Sequence, residues 1–468
     1  MPTVGLSMIA KNEGHTLRAC LESVKGVVAQ IVVVDTGSSD NTQEIARECG
    51  ATVVSVPWEN DFSKARNASL ALMTTDWVLV LDADEEVDRD AKKLIPGLLT
   101  AADVGGYVTP IRNYMPSRFG RGWDRVGVPN DYRHERSKNA PSYVAHGNCR
   151  LFRRQPEIYF SGKIHELVEP QIRSLNLKLP VASFFIHHFG QLVDREVRQK
   201  KRLFYLELLR AKTEEHPDDA TAWTQLGLHE FECFNRPEEA LRCLDRALEL
   251  EPTTQETWLF KGMVYVHLGR NQEALDALEH DIRSEASSAL REELRGDALY
   301  GLNQFKEARL AYRKSLKVTG SNALVESKLG FTEVRLGQKN SGLSLLRRAA
   351  RSAPEMYAIQ DRLMKACIMV DRLSEAAEAA EKITTFAFHP GLFLRAASIR
   401  AQIKQWDRTD ANLSRGLEMF PESQELKDAR AEVTQRRLGN PAGPAAPAVV
   451  QASPAQSDSE SQAVPGPL

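Results

Sequence analysis

Five small residues, Ala240, Ala274, Ala308, Gly342 and Ala376, stand 34 positions apart. No other feature restricts the fold of this 468-residue chain as tightly. A sequence that repeats at such a period folds as a stacked array, each unit covering the apolar face of its neighbour. Gly262, Gly296 and Gly330 lie 12 positions before three of these residues. Small residues at that separation let the two helices of one unit approach closely. The clearest copies read WTQLG at 223–227 and WLFKGMVY at 258–265, and Pro252, Pro354 and Pro421 are placed to close second helices. Residues 195–437 hold roughly six such units, the last with a one-residue slip near Thr409.

This pattern resembles the tetratricopeptide repeat. An array of that kind presents a concave face suited to a protein or peptide partner. Behind it, residues 438–468 are rich in Pro, Ala and Ser and have no aromatic residue. A stretch of that composition cannot bury a core and is expected to be disordered.

Residues 1–194 follow another rule. Apolar runs at 4–10, 30–36, 52–57 and 77–83 alternate with helical spacing at 16–24, 42–49 and 62–73. Near-continuous apolar strands alternating with helices predict an α/β, Rossmann-like domain whose parallel sheet is covered on both faces. Ligands of such sheets bind beyond the carboxyl ends of the strands. The expected fold class is therefore an N-terminal α/β domain followed by an all-α solenoid.

The acids sit where that rule puts a ligand. The run WVLVLDADEEVD, 77–88, passes from a buried strand into Asp82, Asp84, Glu85 and Glu86. Two carboxylates one residue apart at a strand end can jointly hold a hard divalent cation, which leaves positions for substrate phosphate. A second Asp-X-Asp, Asp88 and Asp90, is assigned to a solvated helix start, where acids suit the helix dipole. In VVVDTGSSDNT, 32–42, Asp35 ends a strand and can accept hydrogen bonds from a base or ribose, or serve as a turn-former, while Asp40 suits a helix cap. MIAKNEG, 8–14, places Lys11, Asn12 and Glu13 at the end of the first strand, and ENDFSKARNASL, 59–70, puts Lys64, Arg66 and Asn67 near a helix start.

Taken in order, LSMIAKNEG, IVVVDTGSSDNTQEIA, NDFSKARNASL and WVLVLDADEEV resemble family 2 glycosyltransferases of the GT-A fold. The resemblance is strong over about the first hundred residues and weaker over 101–190. It implies an inverting transferase that takes its sugar from a nucleotide-diphosphate donor. Asp35 and Arg66 would contact the nucleotide, with Asn12 and Glu13 in the same pocket. Asp82 would also serve the nucleotide-sugar, and Asp82 and Asp84 would organise Mn2+ or Mg2+ against the diphosphate. His188, in a His-aromatic-Gly sequence near the domain's end, is a further metal candidate, or else a core residue of an apolar strand.

The second half of the domain must supply the acceptor site and a base. CRLFRR (149–154), SGKIHELVEP (161–170) and FFIHHFGQ (184–191) are the candidate segments, and 113–141 reads as a long loop over the site. An inverting transfer needs a carboxylate opposite the leaving group, which Asp82 and Asp84 on the metal side cannot provide. Glu166, beside His165 in a short apolar context, is the expected base. Asp103, Asp124, Asp131, Glu135, Glu157 and Glu169 lie in segments of loop or surface character, and Asp131 and Glu135 are next in line.

A net charge of −2 argues against a general nucleic-acid binder. Six scattered cysteines without metal or redox spacing fit a reducing compartment. No leader and no run near the ~18 apolar residues of a membrane span is evident. The expected place is the cytoplasm, with peripheral membrane contact open. Two other functions compete: a non-catalytic repeat scaffold with a nucleotide-sugar-binding domain, and a nucleotidyltransferase. The latter's basic, Gly-rich phosphate loop is replaced here by the acidic KNEG, 11–14.

Overall fold

The computed structural model describes residues 2–437 apart from 117–120, 123–124, 127, 131–133, 165, 193–194 and 281–287. The expected tail at 438–468 lies outside the described residues. The chain divides into two compact units, Met1–Phe234 and a second that begins at Asn235.

The first unit is built on strands β1 (Val4–Ala10), β2 (Gln30–Asp35), β3 (Thr52–Ser55), β4 (Trp77–Val80), β5 (Glu85–Val87) and β6 (Gly106–Met115). The short β7 (Arg121–Gly122), β8 (Arg125–Val126) and β9 (Val128–Pro129) precede β10 (Ser142–Arg153) and β11 (Ile186–His188). One sheet runs β3-β2-β1-β4-β10-β6-β11-β5, with β9 beside β10 and β7-β8 as a separate hairpin. Strands β3, β2, β1 and β4 are parallel, as the alternation with α1 (Leu17–Ser23), α2 (Thr42–Glu48) and α3 (Phe62–Leu70) requires. Strand β10 then enters antiparallel to β4, which makes the sheet mixed. Val32, Val33, Val34, Trp77, Val78, Leu79 and Val80 are almost fully buried, the two-sided coverage that their unbroken apolar runs imply.

The expected strand at 77–83 stops at Val80, three residues early. Asp82 and Asp84 occupy a turn, and β5 carries the next acids into the sheet against β11, pairing Glu85 with His188 and Glu86 with His187. The long stretch 113–141 is less open than expected, for its described parts add β7, β8, β9 and a 3-10 turn at Glu135–Ser137. Glu86 anchors that turn through Arg136, 2.5 Å, and His134, 3.3 Å. Helix α4 (Ala91–Leu98) follows β5, and α5 (Glu169–Ser174) lies between β10 and β11. Helices α6 (Arg195–Glu215) and α7 (Ala220–Phe234), which the sequence assigns to the array, pack within this first unit.

The second unit is helical throughout its described residues. It runs α8 (Pro237–Leu250), α9 (Gln255–His267), α10 (Asn271–Glu279), α11 (Ser288–Gly301), α12 (Phe305–Thr319) and α13 (Ala323–Arg335). It continues α14 (Lys339–Ser352), α15 (Tyr357–Met369), α16 (Leu373–Ile383), α17 (Pro390–Gln402), α18 (Trp406–Met419) and α19 (Gln424–Arg437). The repeated alanines are fully buried. The turn inside each repeat uses a left-handed residue: Asn235, Gly269, Asn303, Gly337, Asp371 and Lys404 all have φ between 52° and 81°. These stand 34 apart until the last step, which is 33, the slip foreseen near Thr409. Pro252, Pro354 and Pro421 each lie two residues beyond the end of a helix.

Candidate functional site

Strand ends gather the chemistry, and backbone geometry fixes it there. Asp35 closes β2 with no exposed surface. Its Oδ1 accepts hydrogen bonds from Gly37 N at 3.1 Å, Ser38 N at 3.0 Å and Gln43 Nε2 at 2.9 Å. Burial pushes its pKa up, but the hydrogen bonds from Ser38, Gln43 and Gly37 outweigh it and hold the carboxyl below its ordinary value. Its second oxygen, Oδ2, is buried without a hydrogen-bond partner. Asn12 takes a left-handed conformation, φ 55°, which Asn tolerates. It clamps the neighbouring loop, receiving Ser39 N on Oδ1 at 2.8 Å and donating its own N–H to Ser38 Oγ at 2.9 Å. Asp40, expected as a helix cap, stands one residue before the cap Asn41 and acts locally, accepting from Thr42 N at 3.0 Å and from Gly14 N at 3.1 Å.

Arg66 lies on α3, buried, and links two acids far apart in sequence. Its Nε donates to Glu166 Oε1 at 2.5 Å and its Nη2 to Asp82 Oδ1 at 2.6 Å. The third nitrogen, Nη1, is buried without a partner. Arg150 of β10 approaches Asp82 from the other side, donating to Oδ2 at 3.0 Å and to Glu85 Oε1 at 2.9 Å. Burial disfavours the charged form of Asp82, yet Arg150 and Arg66 overcome it and hold the carboxyl far below the usual range. Glu85 responds oppositely: burial and the nearby Asp82 outweigh Arg150 and push it up to about 7.

Asp84 faces a different set. His188 Nε2 lies 3.5 Å from its Oδ1, and Lys201 Nζ lies 3.8 Å from its Oδ2 and 3.2 Å from Glu13 Oε1. His188 Nδ1 meets Asn113 Oδ1, which orients the ring. Burial lowers the His188 pKa, but Asp84 outweighs it and lifts the imidazole to about 9. Gly190 keeps the gap clear, for a Cβ there would lie 2.6 Å from His188 Nε2 and 2.7 Å from Asp84 Oδ2. Its neighbour His187 is fully buried, bonded through Nδ1 to the Tyr114 hydroxyl at 2.8 Å, and belongs to the core.

The structure thus brings Arg66, Asp82 and Glu166 into one network, and Glu13, Asp84 and His188 into a second beside it. Asp35 and Asn12 form the adjoining rim. Of the three polar residues expected to reach the site from α3, only Arg66 does. Lys64 pairs with Glu59 on the surface, and Asn67 clamps Phe160, receiving its N–H at 2.8 Å and donating to its carbonyl at 2.9 Å. His165, Asp124 and Asp131 lie outside the described residues. Two acids expected at the surface are buried. Glu169 accepts Cys149 N at 2.8 Å and Val168 N at 3.1 Å at the start of α5. Asp88 lies 5% exposed beneath Asp90, whose N–H it accepts at 2.9 Å.

Arg150, Lys201 and Tyr205 are residues of this cluster that sequence reasoning did not single out, and Glu85 was named in the acidic run but given no role. Tyr205 stacks on Phe62 at 6.1 Å and 8°. Burial, then Asp82 and Glu166, push its phenol well up. Arg150 stood in the CRLFRR segment, and the signal that marks it is a charged residue flanked by core residues.

Residues 6–158 match the model of Glycosyl transferase family 2. Residues 234–286 match a tetratricopeptide repeat model and 262–333 a tetratricopeptide repeat-like domain. The chain therefore carries an N-terminal family 2 glycosyltransferase domain of α/β fold and tetratricopeptide repeats behind it. Among named proteins it is similar to a TPR repeat-containing protein of Synechococcus elongatus, 32% identical over 234 residues, 48% of this chain and 52% of that protein. The SPbeta prophage-derived glycosyltransferase SunS of Bacillus subtilis is 24% identical over 253 residues, 53% of each chain. An uncharacterized glycosyltransferase of Rickettsia felis is 31% identical over 108 residues, 23% of this chain and 38% of that one. The chain spans about half the length of the first two. These likenesses support a glycosyl-transfer role. No described helix is long and apolar enough to cross a membrane.

Proposed function

We propose that the chain moves a sugar, with inversion, from a nucleotide-diphosphate donor to an acceptor that the repeats help to recognise. The observation that carries this is the convergence of Asp35, Arg66, Asp82, Asp84 and Glu166 beyond the ends of β1, β2 and β4, in the domain whose residues match the glycosyltransferase family. Asp35 Oδ2 offers a buried acceptor to a donor group of the nucleotide, and Arg66 Nη1 offers a buried N–H. Leaving either unpaired costs about 1–3 kcal/mol, so a ligand that supplies the partner recovers that energy. Asn12 and Glu13 shape the same side of the pocket.

Asp84 and His188, with Asp82, would hold Mn2+ or Mg2+. Among the described residues no group of three or more His, Cys, Asp or Glu side chains is gathered as a metal site. The donor chemistry nonetheless fits. Asp84 faces His188 across a gap that a Cβ at Gly190 would fill, and Asn113 orients the imidazole as an outer partner orients a metal-bound histidine. Asp82 is turned to its two arginines, and its side chain is 36% exposed, enough to turn back. When bound, the ion neutralises the departing diphosphate.

Glu166 is the base. It takes the proton of the acceptor hydroxyl as that oxygen bonds to the anomeric carbon, while the sugar–phosphate bond breaks on the opposite face. Arg66 bridges Glu166 and Asp82 with a single guanidinium, which links the base to an acid of the leaving-group side. The array binds a protein or peptide that carries or delivers the acceptor. The reading is tested by a donor screen: the full chain is mixed with nucleotide-diphosphate sugars and Mn2+, and nucleoside diphosphate release is measured. Release from at least one donor is expected, falling by orders of magnitude in Asp84→Asn. A protein that binds a donor but never turns it over is a non-catalytic scaffold. One that neither binds nor cleaves any donor is not a glycosyltransferase.

A further inference from the structure

We propose that Lys201 of α6 is a diphosphate-binding residue of the donor site, a cation parked between Glu13 and Asp84 that turns onto the phosphates of the incoming nucleotide. This rests on the glycosyltransferase reading above.

Helix α6 faces the crevice with one side. Lys201 and Tyr205 are four residues apart, one turn, and so project together. Lys201 Nζ stands 3.2 Å from Glu13 Oε1 and 3.8 Å from Asp84 Oδ2. Tyr205 stacks on Phe62 of α3, and Phe204 lies 6.2 Å from Trp58. At its far end α6 is pinned by Lys163 to Glu215 and by Arg210 to Glu230 of α7, 2.6 Å. The helix is thus held against α3 near its middle and pinned at its C-terminal end, and Lys201 reaches in from it.

Charge decides what this lysine does. Glu13, Asp82, Asp84, Glu85 and Glu166 supply five carboxylates around the place where a diphosphate would sit. A polyanion entering there needs cations that can face it. Arg66 and Arg150 are buried, 7% and 11% exposed, and each already bridges two carboxylates. His188 is oriented by Asn113. Lys201 alone of these four combines a side chain 44% exposed with contacts as long as 3.2 and 3.8 Å. Its ammonium on a flexible four-carbon stem can rotate from a carboxylate to a phosphate, leaving Asp84 with His188 and Glu13 with the Thr16 hydroxyl. Were Asp84 to hold a divalent ion, Lys201 would be displaced from that carboxylate, and the nearest anion left for its ammonium would be the diphosphate. The helix carrying this residue belongs to the chemistry of the first domain.

The test compares full-length protein with Lys201→Met and Lys201→Arg. UDP, GDP and dTDP are titrated calorimetrically in the presence of Mn2+, and Mn2+ alone is followed by electron paramagnetic resonance. At least one diphosphate is expected to bind the unsubstituted protein. Lys201→Met should weaken that binding about tenfold or more, and Lys201→Arg should restore most of it. Mn2+ alone should bind Lys201→Met no more weakly than the parent, because the ammonium that competes for Asp84 is gone. Diphosphate affinity unchanged in Lys201→Met overturns the assignment. So does a loss that Lys201→Arg fails to repair or that Mn2+ binding shares, since either marks a disturbed crevice. A parent protein that binds none of the three diphosphates refutes the donor site itself, a result distinct from an indifferent Lys201.

Discussion

Arg66 shows how much one side chain can organise. Its guanidinium joins Glu166, 100 positions on, to Asp82, and it lies 5.6 Å from the Phe160 ring, so α3, the turn after β4 and the segment after β10 share one charge network. Glu166→Gln keeps the shape and an acceptor for Arg66 but removes the proposed base. Donor binding and melting temperature should hold while transfer falls by about a hundredfold or more. Transfer that stays normal would move the proton to another acid, with Glu135 next among the described candidates. Thiols offer a second check. Cys20, Cys149, Cys243 and Cys367 are buried, and burial pushes Cys367 up to about 12. In the native protein Ellman's reagent should reach Cys49 first, and Cys367 only on unfolding. Rapid labelling of Cys367 would mean that its repeat opens. Asp35, Asp82 and Asp84 were legible in the sequence because they follow apolar runs at strand ends, and Arg66 because it lies near a helix start. Arg150 and Glu85 were not, since their partners come from strands whose antiparallel return no local pattern announces. Glu169 and Asp88 misled for the opposite reason: acids that cap backbone N–H groups look, in sequence, like solvated ones.

Among the elements, the helix pairs reveal more than their period. Gly330 and Gly342 face each other across α13 and α14, and a Cβ on Gly342 would lie 2.5 Å from the Gly330 carbonyl oxygen. Equivalent positions carry alanine in the other repeats, and alanine is the better helix former by about 1 kcal/mol. The repeat pattern alone therefore favours Gly342→Ala. The packing reverses that expectation, because the obstacle is backbone and cannot rotate away. Gly342→Ala should lower stability by about 1–3 kcal/mol, measured by urea unfolding. A stabilised variant would show that the two helices separate freely. The turn residues give the opposite case. Lys404 is exposed and held at φ 59°, where its five predecessors are Gly, Asn or Asp and glycine carries no steric penalty. Lys404→Gly should raise stability by about 0.5–1 kcal/mol, the strain relieved less the added freedom of the unfolded chain. A lower melting temperature would mean that the lysine stem packs usefully. The period was plain in the sequence; which glycines are there for contact and which for φ became clear only from the structure.

At the scale of the whole molecule, the compact unit that holds the crevice runs to Phe234, forty residues past the expected division at 194. A chain ending at Phe234 should stay soluble and bind donor. A chain ending at residue 194 lacks α6, uncovers Trp58 and Phe62, and should aggregate or bind donor weakly. Size-exclusion chromatography and tryptophan fluorescence distinguish the two, and equal behaviour would return α6 to the array. The uniform turns of the second unit carry a consequence for how such a chain changes over generations. Asn235, Gly269, Asn303, Gly337 and Asp371 make interchangeable joints, each a full 34 residues from the next. A gene duplication or deletion of one such module cuts and rejoins the chain at equivalent places, leaving both flanking turns intact. The array can therefore gain or lose length in whole units without relearning how to fold, while the crevice in the first unit stays as it is.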